Sequence, residues 1–113
     1  MKPISNYSVV WVTAPDRRTA RQLAAAALEA RLAACVSLVP GVESHYWWEG
    51  QREKASEVWL CFKTMRSRLA ALEQMVVSLH PYKTPEFVVL PLTGGNQRYL
   101  EWISQSVGRG TGT

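Results

Sequence analysis

Two strand-like segments that reverse at Glu49-Gly50-Gln51, within residues 34–64, constrain the fold of this sequence more than any other feature. The first segment is rich in β-branched and aromatic residues, and glycine can adopt the positive φ angle that a tight reversal requires. In the second segment alternate residues are apolar, which places Val58, Leu60 and Phe62 on one face of a strand. The sequence therefore predicts a long β-hairpin.

The first segment is interrupted by Pro40-Gly41. Proline has no amide donor and glycine bends easily, so neither residue suits the regular interior of a strand. We expect a bulge or kink at this position.

The length of the hairpin indicates a partner. An arm of about 14 residues, at about 3.3 Å per residue, spans about 45 Å. A globule of 113 residues has a radius of gyration of about 13 Å and a diameter of about 35 Å. The distal part, with Tyr46, Trp47 and Trp48, should therefore extend beyond its own domain and is apolar on both faces. Closed symmetry would let identical copies cover every such arm, so we expect a homo-oligomer.

Composition favours one globular domain. Hydrophobic residues make up 47% and charged residues 19% of the 113 positions. We assign residues 1–107 to that domain and expect residues 108–113, which contain no apolar residue, to be disordered. Because no apolar run approaches about 20 residues and the start of the chain lacks the apolar core of a signal peptide, we expect a cytoplasmic protein without a membrane partner.

The cysteines and the basic residues allow further expectations. Cys35 and Cys61 lie in strand patterns without a C-x-x-C motif, so we expect free, buried thiols. The net charge is +4, and the densest basic cluster is Arg17, Arg18 and Arg21. These arginines are typical of a solvated helix face, and the aromatic RNA-binding signature is absent, so no nucleic-acid partner is expected.

The order of predicted elements defines the fold class. A buried central strand over residues 7–13 precedes a helix capped by Asp16, whose apolar residues include Leu23, Ala24, Ala27, Leu28 and Leu32. After the hairpin comes a second helix, capped by Ser67 and stopped by His80-Pro81, with the inner stripe Leu69, Leu72, Val76 and Leu79. A strand over residues 86–90 and a short helix capped near Asn96 follow. This β-α-β-β-α-β order predicts an α+β, ferredoxin-like sandwich with a C-terminal helix, whose helix-free sheet face needs a cover.

Several motifs carry a family resemblance from about Val9 to Ile103. They are Leu32-Ala-Ala-Cys-Val-Ser-Leu-Val-Pro40, Ser44-x-Tyr46-x-Trp48-x-Gly50, Glu57, Lys63-Thr64, His80-Pro-Tyr82, Pro85-Glu86 and Tyr99-Leu-x-Trp102. In this order they resemble the CutA family of divalent-cation tolerance proteins. The resemblance implies a ferredoxin-like subunit, a tight homotrimer with hairpins paired between subunits, and a role in tolerance to copper and other divalent metals. It also implies an architectural likeness to the trimeric PII signalling proteins, which bind small ligands between subunits.

The sequence departs from the proposed copper-binding pattern of some bacterial relatives. Those relatives place a cysteine before Thr-Ala-Pro-Asp and a second histidine beside His-Pro-Tyr, where this chain has Val12 and Leu79. Lys83 also replaces the usual glutamate after His-Pro-Tyr. Of that constellation only His80 remains.

Candidate metal ligands are therefore His80 and Cys35, with copper or another divalent cation as the candidate cofactor. Each has a structural alternative. Cys35 is also typical of a small buried hydrophobe whose role as a ligand would require a neighbour from another subunit, and His80 of a cap on the last helical carbonyls. His45, beside the aromatic tip, is expected at a polar rim.

A second candidate site is a cleft between subunits. The resemblance places Tyr46, Trp48, Glu57, Lys63, Tyr82 and Glu86 at fixed positions of the family pattern, with Cys35 and His80 nearby. Glu57 and Lys63 share one strand face but lie roughly 20 Å apart, so they cannot pair within one subunit. These polar groups either line an intersubunit cleft or form ion pairs that hold the trimer.

No catalytic motif is present, since the chain lacks a G-x-S-x-G elbow, a phosphate-binding glycine loop and a Cys-His-Asp arrangement. We therefore predict a protein that is not an enzyme. Three functions remain open. The first is a trimer acting in divalent-cation response, with weak or intersubunit metal binding. The second is a PII-like sensor of a small anionic ligand, with charge from Lys63, Lys83 and the arginines. The third is a structural or interaction trimer.

Overall fold

The computed structural model describes residues 6–107 and contains a four-stranded antiparallel sheet and three α-helices. The element order predicted from the sequence is confirmed, and the strand order across the sheet is β2-β3-β1-β4. The protein is therefore an α+β domain. Its elements are β1 (Tyr7–Ala14), α1 (Arg17–Glu29), β2 (Cys35–Trp48), β3 (Gln51–Met65), a 3-10 turn (Arg66–Arg68), α2 (Leu69–Leu79), β4 (Val88–Pro91) and α3 (Gln97–Val107).

The long hairpin is confirmed. Strands β2 and β3 pair from Cys35 opposite Lys63 to Trp48 opposite Gln51. The reversal uses positive φ angles at Glu49 (51°) and Gly50 (78°), as a tight hairpin turn requires. The register shifts between Val39 and Val42, and Gly41 has a φ of 77°, so the bulge predicted at Pro40-Gly41 is also confirmed.

Two helices cover one face of the sheet and form the core with it. Alternation along β1 and β3 turns every second side chain toward α1 and α2, where these side chains are excluded from solvent. The fully buried residues of this core are Val10, Val12, Ala14, Ala20, Leu23, Ala27, Leu60, Phe62, Leu72 and Val76.

Helix α1 begins as predicted but ends earlier. The Thr19 amide donates to Asp16 Oδ1 at 2.8 Å, which confirms the N-terminal cap. This bond from the Thr19 backbone holds the pKa of Asp16 below its usual value. The helix ends at Glu29, so Leu32, although buried, lies beyond it. Leu28 lies within the helix but is 46% exposed.

Helix α2 corrects two predictions. Ser67 is not its cap, because a 3-10 turn precedes the helix and Arg68 occupies the cap position without a capping side-chain bond. Leu72 and Val76 are buried, whereas Leu79 is 52% exposed. Leu79 lies on the same side of the helix as Leu72, because seven residues make nearly two full turns, but it is the last residue of α2. The predicted stop at His80-Pro81 is confirmed.

The last two elements, β4 and α3, differ from the sequence prediction only in their boundaries. Strand β4 starts at Val88, so Glu86 and Phe87 belong to the preceding loop, and Pro91 is its last residue rather than the residue after it. The Tyr99 amide donates to Asn96 Oδ1 at 3.2 Å, which confirms the cap of α3. The carbonyls of Ser106 and Val107 near the end of α3 accept bonds from Arg31 and Arg68 at 2.8 Å and 2.6 Å.

The opposite face of the sheet is only partly covered. Strand β1 is central as predicted, but it is fully buried on the helix side alone, since Trp11 on the other side is half-buried. Trp11 packs edge-to-face against Trp59, with ring centroids 4.6 Å apart. Val39, Val88 and Leu90 lie on this face, which α1 and α2 leave uncovered and which we call the helix-free face, and they remain 46%, 44% and 37% exposed.

The hairpin elongates the domain, as its length predicted. The principal extents are 45 × 29 × 22 Å, and the radius of gyration is 14.9 Å. None of the helices between residues 6 and 107 combines the length and apolar character that spanning a bilayer requires. The predicted disordered tail, residues 108–113, lies outside the described residues.

Candidate functional site

An open cleft of about 700 Å³ lies where the distal hairpin meets the loop after α2. The hairpin contributes aromatic side chains and the loop contributes polar ones. Six side chains were predicted for a cleft between subunits, which stays a prediction. Five of them line this cleft within one chain: Tyr46, Trp48, Glu57, Tyr82 and Glu86. Lys83, His45 and Thr13 also line it, whereas Lys63 does not.

Glu57 is the buried acidic group of this cleft. Its side chain points away from the helix-covered face of β3, and the residue is only 6% exposed. The Tyr82 hydroxyl donates to Glu57 Oε2 at 2.7 Å. Burial, followed by this bond to the carboxylate, raises the pKa of Tyr82 above its usual value. Tyr82 therefore remains a protonated donor at physiological pH.

Glu86 adds a second carboxylate to the cleft. Burial raises the pKa of Glu86, and the negative charge of Glu57 raises the pKa further. The two acidic groups therefore influence each other, and Glu86 accepts a proton more readily than a fully solvated glutamate.

His80 connects the loop of the cleft to the end of β1. Its Nε2 donates to the Thr13 carbonyl at 2.6 Å, because a carbonyl only accepts. Its Nδ1 accepts from the Tyr82 amide at 3.1 Å, and the two rings lie 4.7 Å apart. The side chain therefore does not cap the α2 carbonyls, as one alternative predicted; the His80 amide itself bonds to the Val76 carbonyl.

Both ring nitrogens of His80 are thus engaged, and the residue is 8% exposed. Ligation of a metal by His80 would break one of these two bonds. Its role as a ligand stays a prediction, while its structural role of positioning Tyr82 follows directly from the geometry.

Lys63 and Cys35 form a separate cluster at the base of the hairpin. Lys63 Nζ donates to Ser37 Oγ at 3.1 Å and approaches Cys35 Sγ at 3.8 Å. As expected, Glu57 and Lys63 have different partners within the subunit. Cys35 and Cys61 are free thiols, and both are half-buried rather than fully buried as predicted, because they lie on the helix-free face.

The predicted metal ligands do not meet within one subunit. His80 bonds to Thr13, which lies opposite Trp59, whereas Cys35 lies opposite Lys63. Four residues along β3 separate these positions by about 13 Å. Across residues 6–107, no group of three or more His, Cys, Asp or Glu side chains could hold a metal ion.

Some site residues were missed in the sequence. The contribution of Thr13 depends on a bond between residues far apart in the chain, which no local pattern indicates.

His45 is at the rim, as expected, where its Nε2 lies 2.6 Å from Glu43 Oε2. Arg17, Arg18 and Arg21 are exposed on α1, as a solvated helix face predicts.

Known proteins match this chain over nearly its whole length. The family model described as CutA1 divalent ion tolerance protein matches residues 8–106. The Divalent-cation tolerance protein CutA of Pectobacterium atrosepticum is 45% identical over 106 residues, covering 94% of this chain and 96% of that protein. Protein CutA 1, chloroplastic, of Oryza sativa subsp. japonica is 46% identical over 98 residues, covering 87% of this chain. The match covers 55% of that rice protein, so the chain spans about half of its length.

Solved structures of CutA proteins also match the fold of this chain. The solved structure of the divalent cation tolerance protein (Cut A1) from Thermus thermophilus matches with a TM-score of 0.88 and 42% identity, covering 90% of this chain and 99% of that one. The resemblance carried by the sequence motifs is therefore confirmed: the chain belongs to the family of CutA1 divalent ion tolerance proteins.

Proposed function

We propose that this chain acts in tolerance of divalent metal cations, copper among them, as a cytoplasmic homotrimer without catalytic activity. The observation that carries the proposal is the cleft: five side chains of the family pattern, distant in sequence, converge there. The relatives, which are divalent-cation tolerance proteins by name, support the tolerance role. The free thiols of Cys35 and Cys61 support a reducing compartment.

The exposed apolar surface supports the trimer. Trp47 near the hairpin tip is 71% exposed, and Val39 and Val88 on the helix-free face are 46% and 44% exposed. The strand order β2-β3-β1-β4 supports the ferredoxin-like arrangement, in which the sheet has one helix-free face. Closed symmetry would bury these surfaces in every copy.

Metal binding in this proposal is weak and shared between subunits. His80 already uses both ring nitrogens, and the Lys63 ammonium lies 3.8 Å from Cys35 Sγ, where it opposes a metal cation at the same atom. Glu86 is the exposed carboxylate that remains in the cleft. Oxygen ligands of this kind hold divalent cations, with the remaining ligands supplied by another subunit or by water.

Growth of a strain that lacks its own CutA protein tests the role. Expression of the chain should restore growth on a copper gradient, and Glu86→Gln should weaken the effect. Glu29→Gln, an exposed change on α1 outside the cleft, is the matched control. Failure of the folded, expressed protein to restore growth would reject the proposal. Calorimetric titration with copper should give binding weaker than micromolar, and sub-micromolar, histidine-dependent binding would contradict the weak site.

A PII-like sensor of a small ligand is the second candidate, favoured by the open, aromatic-lined cleft. Glu57 and Glu86 oppose an anion there, and Lys83 is the lysine that faces it. A thermal-shift screen with anionic metabolites tests this candidate, since a stabilising ligand raises the melting temperature by mass action. A purely structural or interaction trimer predicts no shift with metal or metabolite.

A further inference from the structure

Glu57 is a buried carboxylate that has no cationic partner among residues 6–107. The residue is 6% exposed, and in the part of the chain from residue 6 to 107 its hydrogen-bond donor is the neutral Tyr82 hydroxyl. The salt bridge recorded within those residues joins His45 and Glu43 instead. Because taking a carboxylate out of water costs several kcal/mol unless a charge compensates, the isolated subunit leaves Glu57 poorly satisfied.

Lys63 is a cation that lacks an anionic partner among the described residues, just as Glu57 lacks a cationic one. It is half-buried, and its ammonium contacts the neutral groups of Ser37 and Cys35, with no carboxylate paired to it among the described residues. The other lysines of the described region, Lys54 and Lys83, are exposed, so water can solvate them where they stand. Among the described lysines, Lys63 is therefore the one that folding partly removes from water without a charged partner in residues 6–107.

Glu57 and Lys63 lie on the same helix-free face of one strand, β3, but cannot reach each other. Six residues separate them, which corresponds to roughly 20 Å along an extended strand. The same face carries Val39, Val88 and Leu90, which are 46%, 44% and 37% exposed. On a single apolar face, the described part of the chain therefore presents a buried carboxylate and a half-buried ammonium, neither of which has an oppositely charged partner there.

We propose that Lys63 of the partner subunit pairs with Glu57 and completes the buried wall of the cleft. The pairing rests on the homotrimer proposed above. A closed head-to-tail ring joins two different patches of each copy, so the Glu57 end of one subunit meets the Lys63 end of the next and every charge is satisfied. Tyr82 holds the carboxylate from its own subunit, while the partner's Lys63 supplies the charge.

A double-mutant cycle on the full chain tests the pairing. Lys63→Met should leave Glu57 without a cationic partner and lower the melting midpoint by about 5 °C or more, because losing one member of a buried pair is strongly destabilising. Adding Glu57→Gln should recover much of that loss, since the double variant leaves no buried charge. Lys63→Met combined with Glu29→Gln, an exposed change on α1, is the control and should show additive effects.

Native mass spectrometry of every variant separates this pairing from the trimer itself. A trimeric wild type with additive effects of Lys63→Met and Glu57→Gln would overturn the pairing while the trimer stands. A monomeric wild type would overturn both. If either single variant fails to fold, a folded double variant supports the pairing and an unfolded one contradicts it.

A zero-length carbodiimide cross-link gives an independent measurement on the unaltered protein. In a mixture of ¹⁴N-labelled and ¹⁵N-labelled chains assembled together, the peptides containing Glu57 and Lys63 should be joined with mixed isotopes. A link of single isotope composition only, or no link between these peptides in a confirmed trimer, would overturn the pairing.

Discussion

The two faces of the sheet differ in how completely a single chain satisfies them. On the helix-covered face, Val10, Leu60 and Phe62 are fully buried among apolar neighbours. On the helix-free face, apolar side chains such as Val88 remain 44% exposed, and Glu57 and Lys63 have only neutral partners among the described residues. The covered face therefore forms the core of the subunit, whereas the other face keeps apolar side chains in contact with solvent.

The largest expected effect is on the covered face. Phe62→Ala removes a fully buried aromatic side chain and should destabilise the protein by about 3–5 kcal/mol, measured by guanidinium denaturation. Val39→Ala, on the opposite face, is the matched change and should cost much less in an isolated subunit. Equal losses for both variants would show that the helix-free face is packed as tightly as the core.

The next effect concerns the link between the cleft and the sheet. His80→Ala removes the bonds to the Thr13 carbonyl and the Tyr82 amide and leaves a buried carbonyl without its partner. We expect a loss of about 2–4 kcal/mol in the same denaturation experiment. His45→Ala, at the exposed rim, should change stability little, and a comparable loss there would contradict the assigned role of His80.

Removal of the Tyr82 hydroxyl tests the cleft itself. Tyr82→Phe takes the donor from Glu57 and should cost about 1.5–3 kcal/mol at neutral pH, as expected for a bond to a charged group. The raised pKa of Tyr82 means that the folded state disfavours its ionisation. Its contribution is therefore complete below the usual tyrosine pKa of about 10 and falls as pH rises above it. The difference between wild type and variant should shrink above about pH 10, and a constant difference would contradict the shift.

The smallest expected change in stability is that of Glu86→Gln. The pKa of Glu86 is raised, so the folded state favours the protonated carboxyl; the resulting stability is present at low pH and lost as pH rises through the pKa. At neutral pH, Glu86→Gln should therefore stabilise the protein by a few tenths of a kcal/mol, a small value because solvent screens this exposed residue. The gain should fade toward about pH 4, in thermal melts compared with Glu29→Gln. If Glu86→Gln instead lowered stability at pH 7, that result would contradict the raised pKa of Glu86.

Local signals predicted most of the fold. Alternation along β3, the turn at Gly50, the bulge after Val39 and the cap at Asp16 each depend on residues close in sequence, and all four are confirmed. Predictions failed at element ends. Ser67 is a residue type that suits a cap, but it lies within the 3-10 turn that precedes α2. Leu79 matches the spacing of the buried stripe, but it is the last helical residue and is 52% exposed.

The sequence likewise predicted some features of the candidate site and not others. The family pattern predicted a cleft between subunits, and that cleft stays a prediction. Within one chain, Tyr46, Trp48 and Glu86 line a single cleft. Lys63 of the same chain instead bonds to Ser37 at the other end of the outward face of β3. The separation of Lys63 from the cleft depends on which strand residues oppose each other and how the loop after α2 folds back, and neither is written in a local pattern.

By itself, the sequence determined the order and type of the elements, the long hairpin and the family, because periodicity, turn residues and motif order act over short distances along the chain. Only the tertiary structure decided that His80 bonds to Thr13, that Tyr82 holds Glu57, and that Cys35 lies far from His80 along the sheet. These contacts join residues far apart in the chain, so they form only after strand pairing and helix packing have set the distances between them.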